Sequence, residues 1–238
     1  MLPDDVVNKN AHPKAWLAWS SGKDSAWALH VMRQRGDFEI TALLTTVNRT
    51  YERVAMHAVR ESLLEMQAEA VGLPLVKAMI PSPCPNEVYE SAMAEAMSRA
   101  RIEGVTHVIF GDLFLEDIRA YRERQLAACG MTAVFPLWLQ DTRELAERMV
   151  AAGISAYLTC VDPRKLGRDF AGRQFDSRLL RDLPANIDPC GENGEFHTFV
   201  SSGPMFAKPL DVTVGEVVER DGFVFADVLP VARTAVGV

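Results

Sequence analysis

The chain has 238 residues, 48% hydrophobic and 24% charged, which is the texture of an ordinary globular protein with one large domain, or one domain and an appendage. Its 25 basic and 32 acidic residues give a formal charge of −7, which disfavours a non-specific nucleic-acid binder. No apolar run approaches the roughly 18 residues of a membrane span, and the polar start MLPDDVVNKN reads as a frayed tail, not a signal peptide.

In chain order, apolar runs alternate with helical patterns. Residues 15–19 are a first strand. Ala26, Leu29 and Met32 recur at helical spacing over 24–35, and Gly36 stops that helix. Residues 39–47 are rich in Ile, Leu, Thr and Val, a second strand. A helix over 58–71 carries Leu63, Leu64, Ala68 and Val71 on one face and ends at Gly72. A third strand over 73–80 runs into the Pro-rich loop 81–85. A helix over 88–100, with Ala92, Ala96 and Met97 inward, precedes a fourth strand at 106–110. Helices follow over 116–129, ended by Gly130, and over 142–152, with Thr142 as N-cap. Residues 155–161 are the fifth strand.

This order predicts an α/β fold: a five-stranded parallel sheet with helices on both faces. Ligands bind such sheets at the carboxyl ends of the strands, so the site is expected after strands one, two, four and five. Beyond Pro163 the texture changes. Residues 163–184 lack a clear period, and 188–204 are loop-rich. Asp221-Gly222 joins 217–220 to 223–228 as a hairpin. The expected division is an α/β domain over 12–162 and a smaller C-terminal α+β region over 163–238.

The sharpest motif is Ser20-Ser21-Gly22-Lys23-Asp24-Ser25, at the junction of the first strand and first helix. A small-residue loop exposes backbone N–H groups, and the helix N-terminus adds partial positive charge, which together suit phosphates. Ser20 and Ser25 can donate hydroxyl hydrogen bonds, Lys23 brings a positive charge, and Asp24 can brace the loop or hold Mg²⁺. The motif lacks the glycines of a Walker A loop. It resembles the S-G-G-K-D-S signature of the PP-loop ATP pyrophosphatases, with Ser21 where the signature has its first Gly. That superfamily, HUP/Rossmann-like in fold, includes the synthetases for GMP, NAD and asparagine, and tRNA-thiolating enzymes. The resemblance implies cleavage of ATP between its α- and β-phosphates.

Three further segments are similar to the diphthine–ammonia ligase family. The first is Gly111-Asp112-Leu113, followed by Arg119 to Arg124 and Cys129-Gly130. The second is Phe135-Pro136-Leu137-Trp138, and the third is Gly191-Glu192-Asn193-Gly194-Glu195-Phe196-His197-Thr198. Met56-His57 resembles a His-containing segment of the family. The resemblance spans about residues 15–206, and the texture looks like the bacterial branch. It implies ATP-dependent amidation of a carboxylate with ammonia, releasing AMP and pyrophosphate. In eukaryotes and archaea the acceptor is diphthine on elongation factor 2. Bacteria do not make diphthamide, so a bacterial member needs another carboxylate.

Each candidate residue has a functional and a plain reading. Gly111 and Asp112 follow the fourth strand; Asp112 can bind Mg²⁺ with the ATP phosphates or orient the acceptor, or is a carboxylate stabilised by a helix dipole. Arg119, Arg122 and Glu123 share a helix face and suit pyrophosphate or a carboxylate, or form a solvated salt-bridged surface. Glu192 and Glu195 can bind ammonium or take its proton, and His197, titrating near neutrality, can assist; otherwise this is a Gly-rich turn with exposed acids. His57 is a weaker candidate. The basic residues between Arg164 and Arg181 are a phosphate-facing segment or a solvated surface.

Cys84, Cys129, Cys160 and Cys190 form no C-x-x-C pair and read as reduced cytoplasmic thiols. Most read as buried; Cys84 and Cys190 lie in Pro-rich or Gly-rich loops where either can be exposed, whereas Cys129 and Cys160 look like packing residues. The leading reading is an AMP-forming carboxylate–ammonia ligase using ATP and Mg²⁺. Its expected partners are ATP, ammonia and a small-molecule or protein carboxylate, with a homodimer as an open option. The alternatives are a tRNA sulfur-transfer enzyme, which the negative charge and scattered thiols disfavour, and a non-catalytic adenine-nucleotide sensor.

Overall fold

In a computed structural model, residues 12–48, 53–54 and 59–231 are described. The N-terminal tail and the Met56-His57 segment lie outside the described residues. The larger sheet is built around β1 (Lys14–Ala18), whose Ala15, Trp16 and Leu17 are completely buried. On one side lie β2 (Glu39–Asn48) and β4 (Leu75–Ile80); on the other lie β5 (Val105–Ile109) and β6 (Thr132–Val134). The parallel order is β4-β2-β1-β5-β6, with the two-residue β3 (Arg53–Val54) paired antiparallel to the end of β2. This is the expected five-stranded parallel sheet. The chain order reverses between β1 and β5, and that switch opens a crevice at their carboxyl ends.

Helices cover both faces. On one face α3 (Asn86–Ile102) and α4 (Glu116–Ala128) lay Ala96, Met97, Ala100 and Leu126 against Trp16, Leu44 and Val108. On the other, α1 (Lys23–Arg35), α2 (Glu61–Val71) and α5 (Thr142–Ala151) share a larger core with the C-terminal part. Gly36 and Gly72 end α1 and α2 in the left-handed conformation that Cβ-bearing residues resist. The N-cap of α5 is Asp141, whose carboxylate accepts from the Glu144 amide at 2.9 Å, and not Thr142. An Asp one residue upstream fills the role equally well.

The identity of the fifth parallel strand needs correcting. Residues 155–161 do form a strand, β7 (Ser155–Val161), but β7 belongs to a second, antiparallel sheet of order β8-β7-β10-β9. It pairs with β8 (Phe196–Ser202) on one side and β10 (Phe223–Pro230) on the other, and β9 (Val212–Arg220) pairs with the far side of β10. The fifth parallel strand is the three-residue β6. A continuous apolar run reads alike in a parallel strand and a doubly covered antiparallel one, and three residues between Gly130 and Pro136 are too few to show a period. Asp221 and Gly222 both have positive φ, 53° and 78°, the type I′ geometry expected of the β9–β10 hairpin. The non-periodic stretch contains a 3₁₀ turn, Arg168–Phe170, and the short α6 (Ser177–Asp182).

Candidate active site

A cavity of about 710 Å³ opens at the carboxyl ends of β1, β2 and β5. Its floor is the Ser20–Ser25 loop. The loop is braced from within: the Ser20 amide donates to Ser25 Oγ (3.4 Å), the Gly22 amide to Ser20 Oγ (3.3 Å), and Ser25 Oγ to the Gly22 carbonyl (3.0 Å). Ser21, completely buried, sits at φ 72°, a left-handed geometry that Gly adopts more readily than Ser. Gly111 must be Gly for a different reason: a Cβ there would stand 2.8 Å from the Asp24 carbonyl carbon and 2.9 Å from the Ser25 nitrogen. The β5–α4 connection thus lies directly against the start of α1.

Lys23 is buried to 1% exposure. Its ammonium donates to Asp24 Oδ1 (3.0 Å) and Oδ2 (2.8 Å) and to the Cys190 carbonyl, with the Phe175 and Phe196 rings each 5.5 Å away. Burial pulls the Lys23 pKa down, but Asp24, Cys190 and Asp188 together outweigh it and hold the pKa above its ordinary value. The Lys23 backbone amide is capped from the second sheet by Thr198 Oγ1 at 3.1 Å.

The cavity wall formed by α4 and the β5 end carries Asp112 and Arg122. They are joined by two contacts, Nη2 to Oδ1 at 3.1 Å and Nε to Oδ2 at 2.9 Å, with the guanidinium 4.4 Å from the Phe110 ring centroid. Arg119 and Glu123, although on the same helix, do not line the cavity. Arg119 pairs with Glu123 at 2.8 Å and stacks on Phe135 and Trp138.

The opposite wall is the loop before β8. Glu192 lines the cavity, accepts from the Leu113 amide at 2.7 Å, and has its carboxyl pushed up to about 7, chiefly by burial. His197 also lines it, but burial and then Lys23 push its pKa down to about 4, so it is a neutral imidazole at neutral pH and does not titrate there. Glu195 is buried and turned into the loop, where Oε1 accepts from the Asp188 amide and from Asn193 Nδ2, both at 3.2 Å. It braces the wall and does not line the cavity. Cys190 is buried, not exposed, and its thiol is pushed up by burial; Cys160 is pushed up to about 12 in the same way. The segment after β7 is also absent from the lining, and its place is taken by residues 190–194 and 196–198.

Several lining residues carry no motif in sequence. Leu44, Thr45 and Thr46 at the end of β2, Tyr89 and Met93 on α3, and Phe110 form a largely apolar flank with polar edges. Their shared signal is position: each follows a strand of the sheet or faces its carboxyl end.

The two carboxylates expected to hold Mg²⁺ are each matched by a cation, Asp24 by Lys23 and Asp112 by Arg122. Among the described residues no group of three His, Cys, Asp or Glu side chains is placed to hold a metal. The donor set therefore does not fit a metal held by the protein alone. Of the arginines after Pro163, Arg164 reaches the buried Asp162 at 2.8 Å and Arg173 pairs with the exposed Asp182 at 2.5 Å. No described helix is long and apolar enough to cross a membrane.

Comparison with known proteins fits this two-part site. Residues 13–133 match the model of the diphthamide synthase N-terminal domain, and residues 141–228 match that of the diphthamide synthase C-terminal domain. A diphthine–ammonia ligase of Schizosaccharomyces pombe is 35% identical over 96 residues, 38% of this chain and 16% of the relative. Those of Bos taurus and Homo sapiens are 26% and 25% identical, over 75% of this chain and 70% of each relative. This chain therefore spans about a sixth of the fission-yeast relative and most of the mammalian ones.

Proposed function

We propose an AMP-forming carboxylate–ammonia ligase activity for this chain, which belongs to the diphthamide synthase family. The observation that carries it is the placement of Glu192, with its carboxyl near 7, on the cavity wall facing an anion-binding loop. ATP lays its phosphates on Ser20–Ser25, where loop N–H groups, the α1 N-terminus and Lys23 offset their charge. The adenine lies on the flank made by Leu44, Thr45, Tyr89, Met93 and Phe110. Arg122, held towards the cavity by Asp112, takes a phosphate or the acceptor carboxylate.

An oxygen of the acceptor carboxylate attacks the α-phosphorus, and the bond to the β-phosphate oxygen breaks, releasing pyrophosphate. Ammonia then attacks the acyl carbon and AMP leaves. Near pH 7 Glu192 is about half ionised, so it can take the proton ammonia sheds and still be ionised for the next turnover. His197, neutral, supplies a hydrogen bond and no charge. The C-terminal region, which brings Glu192 and His197, is the acceptor side. Mg²⁺, where used, would arrive on the ATP phosphates, since Asp24 and Asp112 already face cations. The four free thiols suit a reducing, cytoplasmic setting. The relatives are named for joining ammonia to diphthine, and the acceptor here is a carboxylate of that kind or a smaller one.

The test is product analysis with ATP, ammonium and a panel of carboxylates that includes diphthine. AMP and pyrophosphate formed in step with an amide are expected. ADP and phosphate, or ATP turnover independent of both ammonium and acceptor, would overturn the reading.

A further inference from the structure

Gln67 sits on the buried face of α2 among Leu63, Leu64, Ala68 and Val71, where helical spacing calls for an apolar residue. It is completely buried, and a primary amide is kept in such a place only if its hydrogen bonds are made. They are. Trp19 Nε1 donates to Gln67 Oε1 at 2.8 Å, and Gln67 Nε2 donates to the Ser21 carbonyl at 3.1 Å and the Val200 carbonyl at 2.6 Å. An indole N–H can only donate, so the amide has a single orientation, oxygen towards Trp19 and nitrogen towards the two carbonyls.

The Ser21 carbonyl also accepts from the Val200 amide at 3.0 Å. Ser21 is the one residue of the Ser20–Ser25 loop in the left-handed region. Its own hydroxyl is buried and has no hydrogen-bond partner among the described residues, so the side chain does nothing to hold that geometry. The backbone is held from outside, by Gln67 and by β8.

We propose that Gln67 is a positioning residue for the phosphate loop: by gripping the Ser21 carbonyl it keeps Ser21 in the left-handed conformation and so aims the Gly22 and Lys23 end of the loop at the cavity. This rests on the reading of that loop as the ATP site. It also accounts for a Ser at a signature position where Gly is otherwise used, since Gly reaches the conformation without help.

The experiment is a double-mutant cycle of Gln67→Met, which keeps the length and loses the hydrogen bonds, with Ser21→Gly, read by calorimetric ATP affinity and by the split of kcat and KM for ATP. Gln67→Met alone should weaken ATP binding about five- to tenfold, the worth of one or two hydrogen bonds, and act on KM more than on kcat. In the Ser21→Gly background the same change should cost less than about twofold. An equal loss in both backgrounds, or none in either, overturns the proposal. Trp19→Phe, which removes the donor that orients Gln67 and keeps an aromatic ring, should shift affinity in the same direction if Gln67→Met folds poorly. If the wild-type chain binds no ATP, the ligase reading fails, and the positioning role is then decided by amide hydrogen exchange. Faster exchange at Gly22 and Lys23 in Gln67→Met supports it, and unchanged exchange overturns it.

Discussion

Replacing Glu192 by Gln isolates the group on which the proposed chemistry turns. Gln keeps the size and the carbonyl oxygen that accepts from the Leu113 amide, and removes only the titration. The carboxyl is raised from the usual 4.5 to about 7. The wild-type kcat/KM for ammonia, expressed per free ammonia, should therefore rise with pH through about 7 and level off above it, because a base must be ionised. Glu192→Gln should lack that midpoint and fall about 10²–10⁴-fold, the usual worth of a general base.

The same shift predicts a change in stability. With its pKa raised in the folded state, the folded protein keeps this proton longer than the unfolded chain. Stability is then lost as pH climbs from about 4.5 to about 7 and is level beyond. The shift corresponds to at most about 3.4 kcal/mol, and the carboxyl borders an open cavity, so about 1–2 kcal/mol is the working figure after solvent screening. Glu192→Gln should thus melt about 2–8 °C above wild type at pH 8 and show little difference at pH 4.5. Product formation across pH 6–9 and calorimetric melting at the two pH values check both halves. A variant with wild-type rate, or one that gains no stability at pH 8, would refute the assignment.

Lys23→Ala should reduce pyrophosphate release more than about 100-fold and lower the melting temperature, because it leaves Asp24 without its cation and strips a donor from the Cys190 carbonyl; pyrophosphate assays with calorimetry measure the two effects. Gly111→Ala forces a Cβ against the Asp24 and Ser25 backbone and should cost about 1–3 kcal/mol of stability, seen as an earlier urea midpoint. Cys160 and Cys190, buried with raised thiol values, should stay unlabelled by a thiol reagent at pH 8 until denaturant is added. Rapid labelling of either in the native protein would revive the sulfur-transfer alternative.

How far the sequence carries can be judged from particular residues. The Ser20–Ser25 loop was legible because phosphate chemistry needs small residues and a cation at one strand–helix junction. Asp112, Arg122 and Glu192 were legible through family-like segments. The division of labour within those segments was not: Arg119 and Arg122 both lie on α4, and only the stacking of Arg119 on Phe135 and Trp138 separates them. Glu192 and Glu195 lie three residues apart, and the turn at Gly194, with φ 78°, contributes to sending one to the cavity and the other into the loop. His197 needed its burial to be known before its protonation could be. Gln67 was invisible, since a polar residue within an apolar helical stripe has no meaning until its partners on Trp19, Ser21 and Val200 are seen. Sheet membership of β7 was hidden for a similar reason, because pairing is a property of two segments and the apolar run belongs to one.

The Ser21 carbonyl, the Lys23 amide and the Lys23 ammonium all find partners in the C-terminal part, at Val200, Thr198 and Cys190. The two parts consequently cannot be shuffled as independent cassettes during evolution or engineering. A graft of the C-terminal sheet onto another nucleotide-binding domain would carry Thr198 and the Val200 backbone with it, and would still need a Gln at the equivalent of position 67 to join the two parts. In a lineage of such proteins positions 21 and 67 should drift together, a Gly at 21 relaxing the need for Gln at 67.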